Sequence, residues 1–343
     1  MSGKAKTRAS PKASKAPKAN QAEVPKAAAV CSPSSAEAFV ETGTCFSLEA
    51  LRLLAARWNE ANGYAERRID GVVRASAKEL WSELRRRLSP DCGDRSEACW
   101  VERGSPLADA SLIAAAFAPP KPAAWKKNPR TWLSTTDIDR VMGQYEAVAS
   151  NRFKWLGALP RDFRDPHPMG GCVTDKMCAL DVLAEKGKGV VNLGVVFNLD
   201  RHDESGSHWV AAMVCMDPKS SVYGVNFSNS TGSPPVQEIR AWCEDVASTL
   251  GCPFVVNRVE KQRKNTECGV FSMYIIIRCL QTYRGIGANG RRLPAGAERP
   301  TFEQLCAEPY NDDAMVAMRD RLYRTPQAGG RAKGGGGVRK IRV

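Results

Sequence analysis

The chain has 343 residues, a net charge of +13 at pH 7 and 43% hydrophobic residues. This length allows one large or two modest domains with a substantial core. No run approaches the roughly 20 apolar residues that a membrane span needs, so we expect no membrane association. The N-terminus lacks the apolar stretch of a secretory signal, which favours a reducing, cytosol-like compartment.

The cysteine content does not indicate a disulfide scaffold. Twelve cysteines are about 3.5% of the chain, well below the roughly 8–10% of disulfide-rich proteins. The sequence has no C-x2-C pair, and the spacings Cys92–Cys99 and Cys172–Cys178 suit zinc poorly. We therefore expect mostly inert, buried thiols and no metal or other cofactor.

The positive charge is concentrated at the two ends of the chain. Residues 1–30 hold seven Lys/Arg against one Glu, and residues 329–343 hold five Lys/Arg and no acidic residue. We predict a basic disordered tail over 1–33 and a Gly-rich basic flexible tail over 326–343. These tails either contact DNA non-specifically through counterion release or act only as solubilising extensions.

Between the tails, the pattern predicts three segments. Residues 34–103 read as a small helical arm, because Ser47 caps a stretch with apolar residues at helical spacing and a second helix covers roughly Ser76 to Leu88. The Pro/Ala-rich residues 104–129 read as a linker. The third segment, 130–325, is predicted to be the catalytic domain.

The third segment mixes strands and helices without a βαβ rhythm. It opens with Trp132-Leu133 before the Ser/Thr/Asp caps of a helix. Buried strands follow around 189–200 and from Trp209 to Met216, and then come a second hairpin strand, an amphipathic helix from Val236 and a short strand near 252–259. This order predicts an α+β, papain-like layered domain.

The chain has three histidines, and His208 has the best context for a general base. His208 stands at the mouth of the strand that starts at Trp209, which would hold its imidazole in place. The next strand forms a hairpin with it, so its end returns towards His208 and brings Asn226 or Asn229 alongside. Such an asparagine would accept from the imidazole and fix its tautomer.

The candidate nucleophile is Cys268, which separates a polar, turn-prone run from an apolar run over Val270 to Ile277. If that run is helical, Cys268 lies in its first turn, where the helix dipole and free amides stabilise a thiolate. Gln262 lies six residues upstream. A loop could fold its carboxamide back beside the thiol, where it would donate to a developing oxyanion.

These elements together resemble a known group of enzymes. His208-Trp209, an asparagine at the hairpin end, and Gln262 followed by five residues and Cys268-Gly269 resemble the SUMO-protease and adenovirus-protease clan of cysteine proteases. The stretches NFSNSTGSPPVQEIRAW and QRKNTECG are most similar to the polyprotein-processing proteases of African swine fever virus and related large DNA viruses. The resemblance covers roughly Trp132 to Tyr323, and its NSTG match favours Asn229 over Asn226.

The resemblance implies further expectations about substrate and place of action. Trp132 and Trp209 would line a narrow substrate channel that admits Gly-Gly and excludes larger residues. The implied activity is a cysteine endopeptidase that cuts viral structural polyproteins after Gly-Gly-type sites during virion maturation, in the virion and the host cytoplasm. Alternatively each tryptophan serves only the core.

Three other functions remain open from the sequence. One is a SUMO or ubiquitin-like deconjugating protease with the same site, and another is a cysteine-dependent acyltransferase of the same clan. The third is a packaging or scaffold protein with an inactive protease fold, tethered to DNA by its tails. No motif indicates an oligomeric state.

Overall fold

The computed structural model describes residues 31–62, 67–92, 97–102, 105 and 107–325. At its centre is a five-stranded mixed sheet in the order β1-β2-β3-β4-β5. The first and last neighbouring pairs are parallel, and the two inner pairs are antiparallel. The strands are β1 (Phe153–Pro160), β2 (Asn192–Asn198), β3 (Trp209–Cys215), β4 (Gly224–Ser228) and β5 (Phe254–Val256).

Helices surround the sheet and also build the N-terminal part. Short 3-10 turns occur at Glu97–Trp100, Ala123–Lys126 and Ala149–Asn151. None of the described helices is both long and apolar enough to cross a bilayer. The α-helices are α1 (Pro33–Thr42), α2 (Leu48–Ala61), α3 (Ala77–Cys92), α4 (Ala110–Ala116), α5 (Thr135–Glu146), α6 (Asp175–Cys178), α7 (Val182–Gly187), α8 (Gln237–Leu250), α9 (Cys268–Tyr283), α10 (Phe302–Ala307) and α11 (Asp312–Leu322).

Strand β3 divides the region predicted to be catalytic into two apolar layers. Its side chains alternate between the faces of the sheet, as in any strand. Ala211 and Met213 join the core around α9, whereas Val210, Ala212 and Val214 join the core around α8. The predicted α+β layered fold is thereby confirmed, with β3 buried on both faces.

The N-terminal helices form a separate core, and the segment predicted as a linker takes part in it. Leu107, Ala116 and Phe117 are buried within this third cluster, while Trp125 belongs to the core around α9. The linker interpretation of 104–129 is therefore wrong for its described residues. The Pro/Gly content suggested a loop, but Asp109 caps an alanine-rich helix, and Trp125 contacts the Tyr323 ring at 4.9 Å between centroids.

The N-terminal helices are attached to the region around the sheet through α5 and the last described residues. Gln144 on α5 donates through Nε2 to the carbonyls of Ala114 and Phe117, at 2.9 and 2.7 Å. The Arg324 amide donates to the Pro119 carbonyl at 2.9 Å, and its side chain pairs with Glu102. Hydrogen bonds and an ion pair therefore connect the two parts.

Six of the twelve cysteines are paired, which corrects the expectation of mostly free thiols. The disulfides are Cys31–Cys45, Cys92–Cys99 and Cys172–Cys178. The partners lie 14, 7 and 6 residues apart, and local chain reversals bring their Cα atoms to 5.2, 5.9 and 6.5 Å. The basic tails lie outside the described residues, and the cytosol-like compartment stays a prediction.

We expect Gly194→Ala to destabilise the protein by about 1–3 kcal/mol, because it overpacks the core. An added Cβ would lie 2.6 and 2.7 Å from ring carbons of Phe153 and 3.3 Å from Ile276. Urea unfolding followed by tryptophan fluorescence measures the change.

Gly143→Ala is the matched control. Nothing lies within 4 Å of an added Cβ at this helical position, so alanine should be neutral or stabilise by up to about 1 kcal/mol. Equal effects of the two substitutions would contradict the close packing of β2 against Phe153.

Candidate active site

Cys268 is the first residue of α9, as predicted for a helical apolar run. It is only 2% exposed and belongs to the same buried cluster as Trp209. A Cβ added at the next residue, Gly269, would lie 3.3 Å from Trp209 Cδ1. Trp209 directly follows His208 in the chain, and consecutive Cα atoms are about 3.8 Å apart. The thiol is thus placed beside the segment that carries the imidazole.

The ionisation of Cys268 differs from the expectation of a stabilised thiolate. Burial raises the pKa of the thiol above its usual value, although the amides of Trp209, Gly269 and Cys268 itself lower it. The expected amide stabilisation is therefore present, but desolvation outweighs it because a charge is costly in a buried site. Burial therefore favours the protonated thiol.

The His208 imidazole is hydrogen-bonded to Asn229, with 2.9 Å between Nε2 and Oδ1. Asn229 Oδ1 also accepts from the backbone amide of Thr231 at 3.1 Å, which identifies this atom as the oxygen. Nε2 must therefore donate, so Nδ1 of the neutral ring is left as the proton acceptor. Burial lowers the pKa of His208, and the Asn229 bond partly raises it.

Asn226, the reserve candidate, lies elsewhere. Its Nδ2 donates to the carbonyls of Val222 and Gly224, at 2.9 and 3.3 Å. The antiparallel pairing of β3 with β4 places Ser228 opposite Ala211. The chain therefore approaches the level of His208 only beyond the end of β4, where Asn229 is the first residue after the strand, and the NSTG match selected the residue that contacts the imidazole.

Gln262 is 7% exposed and its carboxamide is held at both ends. Oε1 accepts from the Ser230 hydroxyl at 2.6 Å, while Nε2 donates to the Lys264 carbonyl. An amide nitrogen carries two hydrogens. One of them remains for a further acceptor, as the predicted oxyanion role requires.

Two residues that the sequence analysis did not single out support Asn229 and Gln262. Ser230 binds Gln262 through its hydroxyl, and its carbonyl accepts from the Lys261 and Gln262 amides at 2.8 and 2.9 Å. Asn257 donates through Nδ2 to the Asn229 carbonyl at 3.1 Å. Ser230 directly follows the predicted Asn229, which was the available signal.

The two tryptophans predicted to line the substrate channel differ in exposure. Trp132 is 43% exposed, whereas Trp209 is 7% exposed. The Trp209 Nε1 donates to the Leu133 carbonyl at 3.0 Å, so the segment that carries Trp132 is fixed to the start of β3. A side chain at Gly269 would meet both Leu133 and Trp209, at 3.1 and 3.3 Å.

The other histidines lie outside this cluster. His202 Nδ1 is 2.6 Å from the buried carboxylate of Asp162, and the His167 ring centroid is 6.3 Å from that of His202. Within the part of the chain that the structure describes, no group of three or more His, Cys, Asp or Glu residues could hold a metal ion.

Comparison with known proteins identifies relatives among viral cysteine proteases. The chain is 32% identical over 160 residues to the "Putative thiol protease" of Acanthamoeba polyphaga mimivirus, which is 43% of this chain and 48% of that protein. It is 32% identical over 137 residues to the SUMO-1 cysteine protease of African swine fever virus, which is 38% of this chain and 43% of that protein. No protein-family model matches the chain.

The fold is that of a viral cysteine protease. The crystal structure of the African swine fever virus protease superimposes with a TM-score of 0.53 and 21% identity, over 73% of this chain and 89% of that chain. The resemblance to this protease group, drawn from the sequence, is confirmed. The chain spans about half the length of the curated relatives that it matches.

We expect the His208 imidazole to titrate below the roughly 6.5 of an unperturbed histidine, because burial disfavours its charged form. Asn229→Ala removes the hydrogen bond that raises the pKa of His208, so the titration midpoint of His208 should fall further. NMR titration of the imidazole proton shifts, assigned with His208→Ala, measures both values.

Asn226→Ala is the control, because that side chain bonds only to Val222 and Gly224. It should leave the His208 midpoint unchanged. A midpoint at or above 6.5 in the wild type, or an equal shift in the two variants, would refute the proposed environment.

Proposed function

We propose that this chain is a cysteine endopeptidase that uses Cys268, His208, Asn229 and Gln262. The observation that carries the proposal is their convergence: Cys268 lies in the same buried cluster as Trp209, and the preceding His208 is bonded to Asn229. A cysteine beside a histidine that a third side chain orients is the arrangement of a nucleophile with its base.

In the proposed mechanism the proton moves only when substrate is attacked. His208 Nδ1 takes the proton of the Cys268 thiol, and the sulfur attacks the carbonyl carbon of the scissile amide. Gln262 Nε2 and the Cys268 amide donate to the oxyanion. His208 then protonates the leaving amine, and water hydrolyses the thioester to release the acyl group and restore the thiol.

The proposed cleavage site follows a Gly-Gly-type sequence in viral structural polyproteins, processed during virion maturation. The exposed Trp132 and the fixed Trp209 support a narrow substrate channel, since bulky walls favour residues without side chains. The viral origin of the relatives supports action in the virion and the host cytoplasm. DNA contact through the tails belongs to this proposal and lies outside the described residues.

A deconjugating protease is the second candidate, because relatives in African swine fever virus are named SUMO-1 cysteine proteases. Such an enzyme would recognise a folded modifier in addition to its Gly-Gly terminus. A short peptide that contains only the cleavage site would then be a poor substrate.

The test is hydrolysis of Gly-Gly-Xaa peptides and of SUMO and ubiquitin fusions, analysed by mass spectrometry. We expect the wild type to cut the peptides after the second glycine. Cys268→Ala should lose at least about 10³-fold in kcat/KM, since a nucleophile has no substitute. Cys252→Ala, at a half-buried free cysteine, is the control and should keep full activity.

Each other outcome selects a different function. Cleavage of the folded fusions alone would favour the deconjugase. Activity that survives Cys268→Ala would refute the assigned nucleophile. The absence of any cleavage, combined with DNA binding that weakens steeply with salt, would favour the DNA-tethered scaffold protein.

A further inference from the structure

The loop between Gln262 and Cys268 has no regular structure, yet it joins the two residues whose relative position decides oxyanion binding. This 263–267 loop lies against α11. Asp312, the first residue of α11, accepts from the Arg263 amide at 3.0 Å through Oδ2 and from the Lys264 amide at 3.2 Å through Oδ1. Both carboxylate oxygens are thus committed to the backbone of the loop.

Arg319 holds the other end of the loop. Its Nε lies 2.9 Å from the Glu267 carboxylate, and its Nη2 is 3.3 Å from the Thr266 carbonyl. Its Nη1 donates to the Thr131 carbonyl at 2.7 Å, directly before Trp132. The guanidinium also lies over the Trp125 ring, 4.6 Å from its centroid.

Asp312 and Arg319 lie seven residues apart, which is about two helical turns, and therefore share one face of α11. That face is otherwise apolar, with Met315 and Leu322 buried on it. The two charged residues are themselves only 6% and 3% exposed. Buried charges are costly unless they are paired and hydrogen-bonded. Here loop amides bond to Asp312, and Glu267 and the Thr131 carbonyl bond to Arg319.

We propose that α11 is a brace for the 263–267 loop, and that Asp312 and Arg319 are positioning residues for the oxyanion site. This inference rests on the proposed protease function. The brace fixes the backbone on both sides of Asn265, between the Gln262 carboxamide and the Cys268 amide. Neither residue of the brace touches the substrate.

The test compares Asp312→Asn with Asp313→Asn. The carboxamide introduced by Asp312→Asn would present an NH2 group to one of the two loop amides, so a hydrogen bond becomes a clash between donors. Asp313 is a matched control, because its 76% exposed carboxylate only contacts the Lys264 ammonium and its neutralisation removes the same charge. A displacement of about 1 Å in a catalytic group costs up to about 10²-fold in rate.

We expect Asp312→Asn to lower kcat for a Gly-Gly peptide by about 10- to 100-fold with KM within about threefold, as for Gln262→Ala. Asp313→Asn should match the wild type.

Alkylation of Cys268 by iodoacetamide forms a C–S bond and expels iodide without an oxyanion. Its rate in Asp312→Asn should therefore stay within about threefold of the wild type. Arg319→Lys keeps the charge but loses the planar guanidinium. It should likewise lower kcat while leaving the alkylation rate close to that of the wild type.

Hydrogen exchange tests the brace without any turnover. The Arg263 and Lys264 amides should exchange at least about tenfold faster in Asp312→Asn than in Asp313→Asn. Equal exchange in both variants, wild-type kcat in Asp312→Asn, or loss of alkylation together with hydrolysis would overturn the brace. A wild type that cleaves no peptide or fusion would instead refute the proposed function.

Discussion

The site depends on the burial of α9 against β3. Nearly every residue of this 16-residue helix is buried, and a helix whose apolar residues are spread around its circumference packs inside the protein. Strand β3 is also buried along its whole length. Close packing leaves such elements little freedom to shift. Because Cys268 begins the helix and His208 precedes the strand, their positions follow from the packing behind them, and Gly269 allows the close approach of Leu133 and Trp209.

The burial that fixes this geometry also sets the resting charge state. Desolvation raises the pKa of Cys268 and lowers that of His208, so both effects favour a neutral thiol and a neutral imidazole. The hydrogen bonds act in the opposite direction, since the amides near Cys268 favour thiolate and Asn229 favours imidazolium. The site thus contains hydrogen-bond partners for both charges, although burial favours the uncharged pair. The bond to Asn229 leaves Nδ1 of the neutral imidazole as the proton acceptor.

The sequence predicted elements that depend on local patterns and missed those that depend on distant contacts. Ser47 and Ser134 cap helices as expected, and the apolar run over Val270 to Ile277 lies within α9, which starts at Cys268. In contrast, the sequence analysis did not predict β1. Its residues lack clear apolar–polar alternation, and its pairing with β2 shifts register between Trp155 and Gly157. The disulfide pairing and the role of α11 were equally inaccessible, since a count of cysteines gives no pairing and Arg319 meets Glu267 from 52 residues away.

The Glu267–Arg319 pair illustrates why a protein would retain charges in its core. Buried ion pairs seldom stabilise a fold more than apolar residues of similar volume would, because desolvation offsets their attraction. Apolar side chains at positions 312 and 319 would extend the existing stripe of α11, but they would leave the amides of Arg263 and Lys264 and the carbonyl of Thr131 without these partners. Only polar groups can hold a backbone path in this way.

The end of α11 leads directly to Arg324, which bonds to the arm at Pro119 and Glu102. One helix therefore supports the 263–267 loop, the segment before Trp132 and the attachment of the arm, so these three parts are mechanically connected.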